Sequence, residues 1–385
     1  MSQPIYLDHH STTPVDPGVL EAMLPTFGLH YGNASSRSHA FGRDAAAAVE
    51  QAREQVAQAI GARYAEIVFT AGATESNALA IQGIARRRPG AHLITSAVEH
   101  RSVLDACRRL EAEGWALSVL PVDRWGRVDP DDVRRALRPD TVLVSVMAAN
   151  NEIGTLQPID AIGAVVRDSA ALFHVDATQA LGRMRLDVDA AGIDLLSLSA
   201  HKLYGPKGVG ALYLRRRPRR VELLPLIEGG GQEMGLRPGT LNVPGIVGMG
   251  AACERMVAAA PAETARLTAL RTRLWAALAA ALDGIELNGH PEQRLAGNLN
   301  VGIDGVQADA LLLGLPELAL SAGAACSSGA ARPSHVLTAI GAGDAGAARE
   351  RAALRFGLGR FNTEDEIDRA AQLVIARVRT LRAPR

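Results

Sequence analysis

Between residues 66 and 214 short apolar runs alternate with longer amphipathic ones, and this pattern leaves few folds open. Strands are expected at 66–71, 91–96, 116–121, 141–147, 172–176, 194–199 and 209–214, with helices at 74–87, 101–113, 130–137 and 158–169 between them. The strands are mainly apolar, so their sheet should be buried on both sides. Repeated strand–helix units of this kind build an α/β fold, a mostly parallel sheet covered by helices. The last run, 209–214, follows a short turn and is expected to lie antiparallel to its neighbours.

The flanks read differently. Tyr6-Leu-Asp-His-His-Ser-Thr-Thr-Pro14 is a short polar segment before any regular element, and Asp16-Pro17 supplies an N-cap and a first-turn proline. An alanine-rich helix is expected over 38–60, and a long helical stretch over 244–282 should break near Pro261. Strands at 285–287, 298–303 and 353–357, with helices between and after, suggest a smaller α+β domain. The expected division is a large domain of residues 16–258 and a small domain of 1–15 with 259–385.

Composition narrows the partners. The 41 acidic and 41 basic side chains balance, which gives no reason to expect a nucleic-acid or membrane surface. Cys107, Cys253 and Cys326 form no CxxC pair and no zinc-like cluster, which points to a reducing compartment. No secretory leader is visible at the N-terminus and no apolar run has membrane-spanning length, so a cytoplasmic protein is expected.

Within that frame the lysines stand out. Only Lys202 and Lys207 occur, both in Ser199-Ala-His-Lys-Leu-Tyr-Gly-Pro-Lys-Gly208; every other basic side chain is arginine. Arginine stays protonated and cannot condense with an aldehyde, whereas a lysine amine can. Lys202 falls just past the C-terminal end of a strand, the edge where open α/β sheets bind ligands. Lys207, between glycines, reads as a solvated loop charge. Two lysines could also be survivors of a drift towards arginine, and other motifs must decide.

They fall at the same sheet edge. Phe69-Thr-Ala-Gly-Ala-Thr-Glu-Ser-Asn77 is strand, glycine turn and helix start, where the N–H groups of Ala73 and Thr74 and the Thr74 hydroxyl could hold a phosphate. Thr74 could equally be only an N-cap. Asp176, at the end of the strand in Phe173-His-Val-Asp-Ala-Thr-Gln179, suits a protonated pyridine nitrogen or a set of backbone caps. His100 and Asn150-Asn151 follow two further strands. Jointly these residues outline a cofactor pocket. The glycine-rich run 229–240 matches no dinucleotide fingerprint. Cys107 and Cys253 lie on helical stretches and read as core, whereas Cys326, inside a Gly/Ala/Ser run, reads as an accessible and reactive thiol.

In order along the chain, GATESN, EHRSVLD, NNEIG, HVDATQ, SAHKLYGPKG, RPGT and the Cys326 segment resemble the cysteine desulfurases, pyridoxal 5'-phosphate (PLP) enzymes of the class V aminotransferase family with the type I fold. The resemblance implies that Lys202 bonds the cofactor aldehyde, Asp176 pairs with its ring nitrogen and Gln179 contacts its ring hydroxyl. His100 would stack on the ring and move protons. Thr74, Ser199 and His201 would hold the phosphate, with Thr240 supplied by the other subunit of a homodimer. Asn151 and Arg355 would hold the carboxylate of L-cysteine. Cys326 would take its sulfur as a persulfide, release alanine, and pass the sulfur to an acceptor protein such as an iron–sulfur scaffold. His9-His10 and Pro238 depart from the family's usual residues, and the chain ends at Arg385 without a longer tail, which leaves the acceptor open. A selenocysteine lyase or a class V aminotransferase on the same scaffold, or a silent binding protein, are the competing readings. The Cys326 thiol argues against transamination, and the retained Lys202, Asp176 and His100 argue against a silent protein.

Overall fold

The computed structural model describes residues 4–322, 334–342 and 351–383; Cys326 lies outside them. Seven strands form the main sheet: β1 (Ile67–Thr70), β2 (His92–Ser96), β3 (Ala116–Leu120), β4 (Thr141–Ser145), β5 (Leu172–Asp176), β6 (Leu195–Ser199) and β7 (Gly210–Leu214). Their spatial order is β1-β7-β6-β5-β4-β2-β3. The pairs β2–β3, β2–β4, β4–β5 and β5–β6 are parallel, while β7 runs antiparallel to both β6 and β1. Strand β1 therefore points the same way as β2 to β6, and only β7 is reversed, as the turn before it predicts.

All residues of β1, β2, β4, β5, β6 and β7 are buried, which explains their mainly apolar character. Alternate side chains enter different cores. Phe69, Phe173, Val175, Leu196 and Leu198 join one apolar cluster, and Val68, Leu93, Leu143, Leu172 and Leu195 join another. Helix α1 (Ala40–Gln58) packs in the first cluster, while α2 (Ala73–Ala85) and α3 (Arg101–Ala112) cover the second. The outer side of edge strand β1 is satisfied by side chains. Glu233 accepts the Phe69 N–H at 2.7 Å, and Arg53 donates to the Ile67 carbonyl at 2.8 Å while pairing with the Glu233 carboxylate.

The expected break at Pro261 does not occur. Helix α4 (Val243–Ala281) runs through it. Its first half puts Ile246, Met249, Cys253 and Met256 into the core of the main sheet. Its second half puts Leu267, Leu270, Leu274 and Leu278 into a separate cluster. An interior proline costs about 3 kcal/mol, and each buried leucine contributes about 1.5–3 kcal/mol, so packing at both ends outweighs the missing bond. By length and composition α4 could pass for a membrane span, but half of its most apolar stretch is buried in the fold, as in a core helix.

The second cluster belongs to a smaller antiparallel sheet: β8 (Ile285–Asn288), β9 (Asn298–Asp304), β10 (Arg351–Gly357) and the two-residue strand Ser321–Ala322, backed by α5 (Glu364–Arg382). The N-terminal segment pairs Ile5–Tyr6 with Leu318–Ala319 and buries Leu7 in the same cluster. It then crosses to the main sheet. This crossing carries His10, Ser11 and Thr12 to the sheet's C-terminal edge.

Candidate active site

Because β1, β2, β4, β5 and β6 share one direction, the residues that follow them converge. A cavity of about 1020 Å³ opens at that edge, and ten of the sequence-derived residues line it: Ala73, Thr74, His100, Asn151, Asp176, Gln179, Ser199, His201, Lys202 and Arg355. Thr240 is not among its lining and is exposed on the loop after Gly239. Lys207 is exposed, as a solvated charge should be, yet it reaches the cavity rim.

Lys202 ends a single 3-10 turn (Ala200–Lys202) directly after β6. Its Nζ donates to the carbonyls of His10 at 2.6 Å and Ser11 at 2.5 Å. Burial, then the positive charges of Arg355 and Arg183, lower its pKa from 10.5 to about 7, with Asp8 and Asp176 opposing. Close to half of such amines are unprotonated at neutral pH, the form that attacks an aldehyde.

Asp176 is buried at the end of β5 and is anchored twice. Asn77 Nδ2 donates to its Oδ2 at 2.8 Å, and the Thr178 N–H donates to its Oδ1 at 3.0 Å. Asn77 sits one turn into α2 and also donates to Ser102 Oγ at 2.9 Å. His100 caps α3: its Nδ1 accepts the Ser102 N–H at 3.2 Å, so the proton of the neutral ring sits on Nε2. Burial keeps the His100 pKa below 6.5, with Asp176 opposing.

The α2 N-terminus is bare. Gly72 is its N-cap, with φ 155° and ψ 177°, a conformation essentially reserved for glycine, and no side chain caps the helix. Thr74 is therefore not the cap, and its hydroxyl and the first N–H groups of α2 border the cavity. Ser199 and His201 face this end from β6 and its turn. Burial, followed by Lys202 and Lys207, lowers the His201 pKa to about 4, so this ring is neutral near pH 7. Its Nδ1 lies 3.1 Å from Thr12 Oγ1.

Arg355, on β10, enters from the smaller sheet. It donates to Asp8 Oδ1 and Ser11 Oγ, both at 2.7 Å, and to the Asn151 carbonyl at 3.0 Å. An incoming carboxylate must share this guanidinium with Asp8.

Several contributors were not singled out in the sequence, although Glu99 and Glu152 lie within EHRSVLD and NNEIG. Arg183 donates to Gln179 Oε1 at 2.9 Å and to the Lys202 carbonyl at 2.8 Å. Glu99, fully buried beside His100, accepts from Ser96 Oγ at 2.6 Å and from the Met147 N–H at 2.9 Å; burial pushes its pKa up to about 8. Ser334 donates to Glu152 at 2.5 Å, and His335 contacts the Glu99 carbonyl at 2.9 Å. Asn77 left a further signal, as a polar residue four positions after Ala73 on the inner face of an apolar helix.

A parallel sheet that gathers a low-pKa lysine, a buried carboxylate and an uncapped helix end at one edge defines a lysine-based α/β enzyme. The chain belongs to the aminotransferase class-V family, whose model matches residues 5–370. It is 52% identical over 384 residues to cysteine desulfurase IscS of Anaeromyxobacter dehalogenans (strain 2CP-C), covering 99% of this chain and 94% of that protein. It is 49% identical over 383 residues to the cysteine desulfurase of Mus musculus, covering 99% of this chain and 82% of that protein. A solved NifS-like protein matches with TM-score 0.88 at 35% identity, over 97% of this chain and 99% of that one. The structure of SspA in complex with cysteine matches with TM-score 0.81 at 40% identity, over 93% and 100%.

Proposed function

We propose that this chain is a PLP-dependent cysteine desulfurase that converts L-cysteine to L-alanine and carries the sulfur as a persulfide on Cys326. The observation that carries the reading is Lys202, an amine with a pKa near 7 at the floor of a cavity that also holds Asp176 and the bare end of α2. These residues fit the cofactor: the Gly72 turn leaves uncapped N–H groups for a phosphate, and Asp176, anchored by Asn77 and Thr178, can hold a proton on a ring nitrogen.

When bound, pyridoxal phosphate supplies an electron sink for the substrate α-carbon. Lys202 would hold the cofactor through its amine, and that amine is also suited to carrying protons in the cavity. Thr74, Ser199, His201 and the N–H groups of Ala73 and Thr74 hold the phosphate. The neutral His201 ring adds a hydrogen bond there and no charge. His100, with its proton on Nε2, lines the same cavity and would move protons to and from the substrate there. Arg355 and Asn151 hold the substrate carboxylate. The Cys326 sulfur attacks the sulfur of L-cysteine: an S–S bond forms, the Cβ–S bond breaks, and Cβ takes a proton to become the alanine methyl. Sulfur is oxidised to the sulfane level and carbon is reduced, so no outside oxidant is needed.

The reading extends to a cytoplasmic homodimer in which Thr240 completes the partner's phosphate site. Its exposure, with that of Ile227 and Met234 nearby, supports this. It also keeps the division into residues 16–258 and residues 1–15 with 259–385, supported by the separate apolar clusters. Delivery of sulfur to an acceptor protein for iron–sulfur assembly accords with the IscS relatives.

Incubating the protein with pyridoxal phosphate, L-cysteine and a reductant should yield alanine and sulfide in equal amounts. Amino transfer to a keto acid without sulfide would favour the aminotransferase reading, and a strong preference for selenocysteine would favour the lyase.

A further inference from the structure

We propose that His10 is a positioning residue that locks the Gln179 side-chain amide as a hydrogen-bond donor towards the ring oxygen of bound pyridoxal phosphate. The inference rests on the cofactor reading above and concerns a residue where the chain departs from its family.

An amide can sit in two orientations, and its neighbours decide between them. Gln179 Oε1 receives Arg183 Nη1 at 2.9 Å, and a guanidinium only donates. Gln179 Nε2 meets the His10 carbonyl at 2.9 Å, and a carbonyl only accepts. A flipped amide would set donor against donor and acceptor against acceptor. With the orientation fixed, His10 Nδ1, 3.1 Å from Gln179 Oε1, must be the donor. His10 is then neutral, protonated on Nδ1, with a bare Nε2. That atom has no partner among the described residues, as expected of a lone pair packed against apolar surface. Burial, then Arg183 and Arg355, hold the His10 pKa well below 6.5; the Gln179 bond opposes them, and Lys202 adds a smaller push the same way.

The ring also packs close to the backbone of Gly357: a Cβ there would come within 3.0 Å of His10 Cδ2, so glycine at 357 makes room for the imidazole. Gln179 is thus held at Oε1 by the His10 ring and Arg183 together, and at Nε2 by the His10 carbonyl. Among the described residues the Gln179 Nε2 donates only to the His10 carbonyl, which leaves one N–H of the amide over, and Gln179 lines the cavity. The same His10 carbonyl receives Lys202 Nζ, so lysine and amide are registered to one residue.

A fixed donor at the ring oxygen favours its ionised form, and the proton should leave at lower pH. The test is the pH midpoint of the visible cofactor band in the holoenzyme. His10→Leu removes one of the three bonds that hold the amide and should raise the midpoint by up to about one pH unit, roughly tenfold in the ionisation constant being the limit set by full loss of a well-placed bond to a charged oxygen. His10→Asn, whose amide N–H can replace Nδ1–H, should restore it to within about 0.3 unit. Lys202, Arg183, Arg355, Asp176 and His100 stay in place in both variants, so the comparison isolates the ring. If His10→Leu does not fold, His10→Gln, whose amide overreaches the Nδ1 position, takes its place. An unshifted midpoint, or equal shifts in the Leu and Asn variants, overturns the positioning role. A parent protein with no visible band overturns the cofactor reading, and this inference with it.

Discussion

The lysine makes the most quantitative claim. An ordinary lysine of pKa 10.5 is unprotonated in roughly one molecule in three thousand at pH 7, whereas at a pKa near 7 about half are. Capture of pyridoxal phosphate by Lys202 in the apoprotein should therefore run about a thousandfold faster at pH 7 than capture by a free lysine side chain. The assay is stopped-flow growth of the visible band as a function of pH, with a blocked lysine as reference. The rate constant for the protein should rise through a midpoint near pH 7 and then level off, while the reference climbs until about pH 10. Burial is the larger cause and cannot be edited cleanly, but Arg355, the next, can be removed. Arg355→Leu should move the midpoint upward, because the remaining carboxylate of Asp8 then favours the charged amine. A rate that still climbs above pH 9 in the parent, or a midpoint that stays put in Arg355→Leu, would refute the account of how the site activates its lysine.

Three further outcomes are expected. Glu99 holds its proton more tightly when folded, at about 8 against an ordinary 4.5, so its share of stability is full below about pH 4.5 and is lost as pH rises to about 8. In Glu99→Gln that loss should vanish, improving stability relative to the parent at pH 8.5 by about 5 kcal/mol at most, read from denaturation midpoints at the two ends of the window. Asn77→Asp sets a second carboxylate against Asp176 and should weaken cofactor binding at least about tenfold, measured by equilibrium dialysis; unchanged affinity would remove Asn77 from the site. Glu233→Ala leaves Arg53 buried without its carboxylate and the Phe69 N–H unpaired, and should cost about 3–5 kcal/mol in urea unfolding.

The sheet was legible because its strands read as short apolar runs between longer amphipathic ones, and the candidate site was legible because it uses the ends of those strands. Lys202, Asp176 and His100 each follow or end an apolar run, so their convergence comes with the parallel topology. What lay hidden depends on long-range packing. Arg183 reaches Gln179 and Lys202 from a loop with no motif of its own. Glu99 is a sequence neighbour of His100, but only the surrounding core turns it into a protonated acid. Pro261 misled in the opposite direction: its local signal is real, but the two cores gripped by α4 override it. Thr74 illustrates a subtler limit. Its residue type suits an N-cap, yet the backbone turn gives that place to Gly72 and frees Thr74 for the cavity.

The central claim is that one chain divides the work between an amine that holds the cofactor and a thiol that accepts the sulfur. The most direct measurement is mass spectrometry of the protein after a brief exposure to pyridoxal phosphate and L-cysteine without reductant, with alanine quantified in the same sample. The account predicts one added sulfur atom on the Cys326 peptide and about one alanine per chain. It also predicts that Cys326→Ala binds the cofactor normally but gains no sulfur. Sustained alanine and sulfide production by Cys326→Ala, or sulfur found on Cys107 or Cys253 instead, would contradict it.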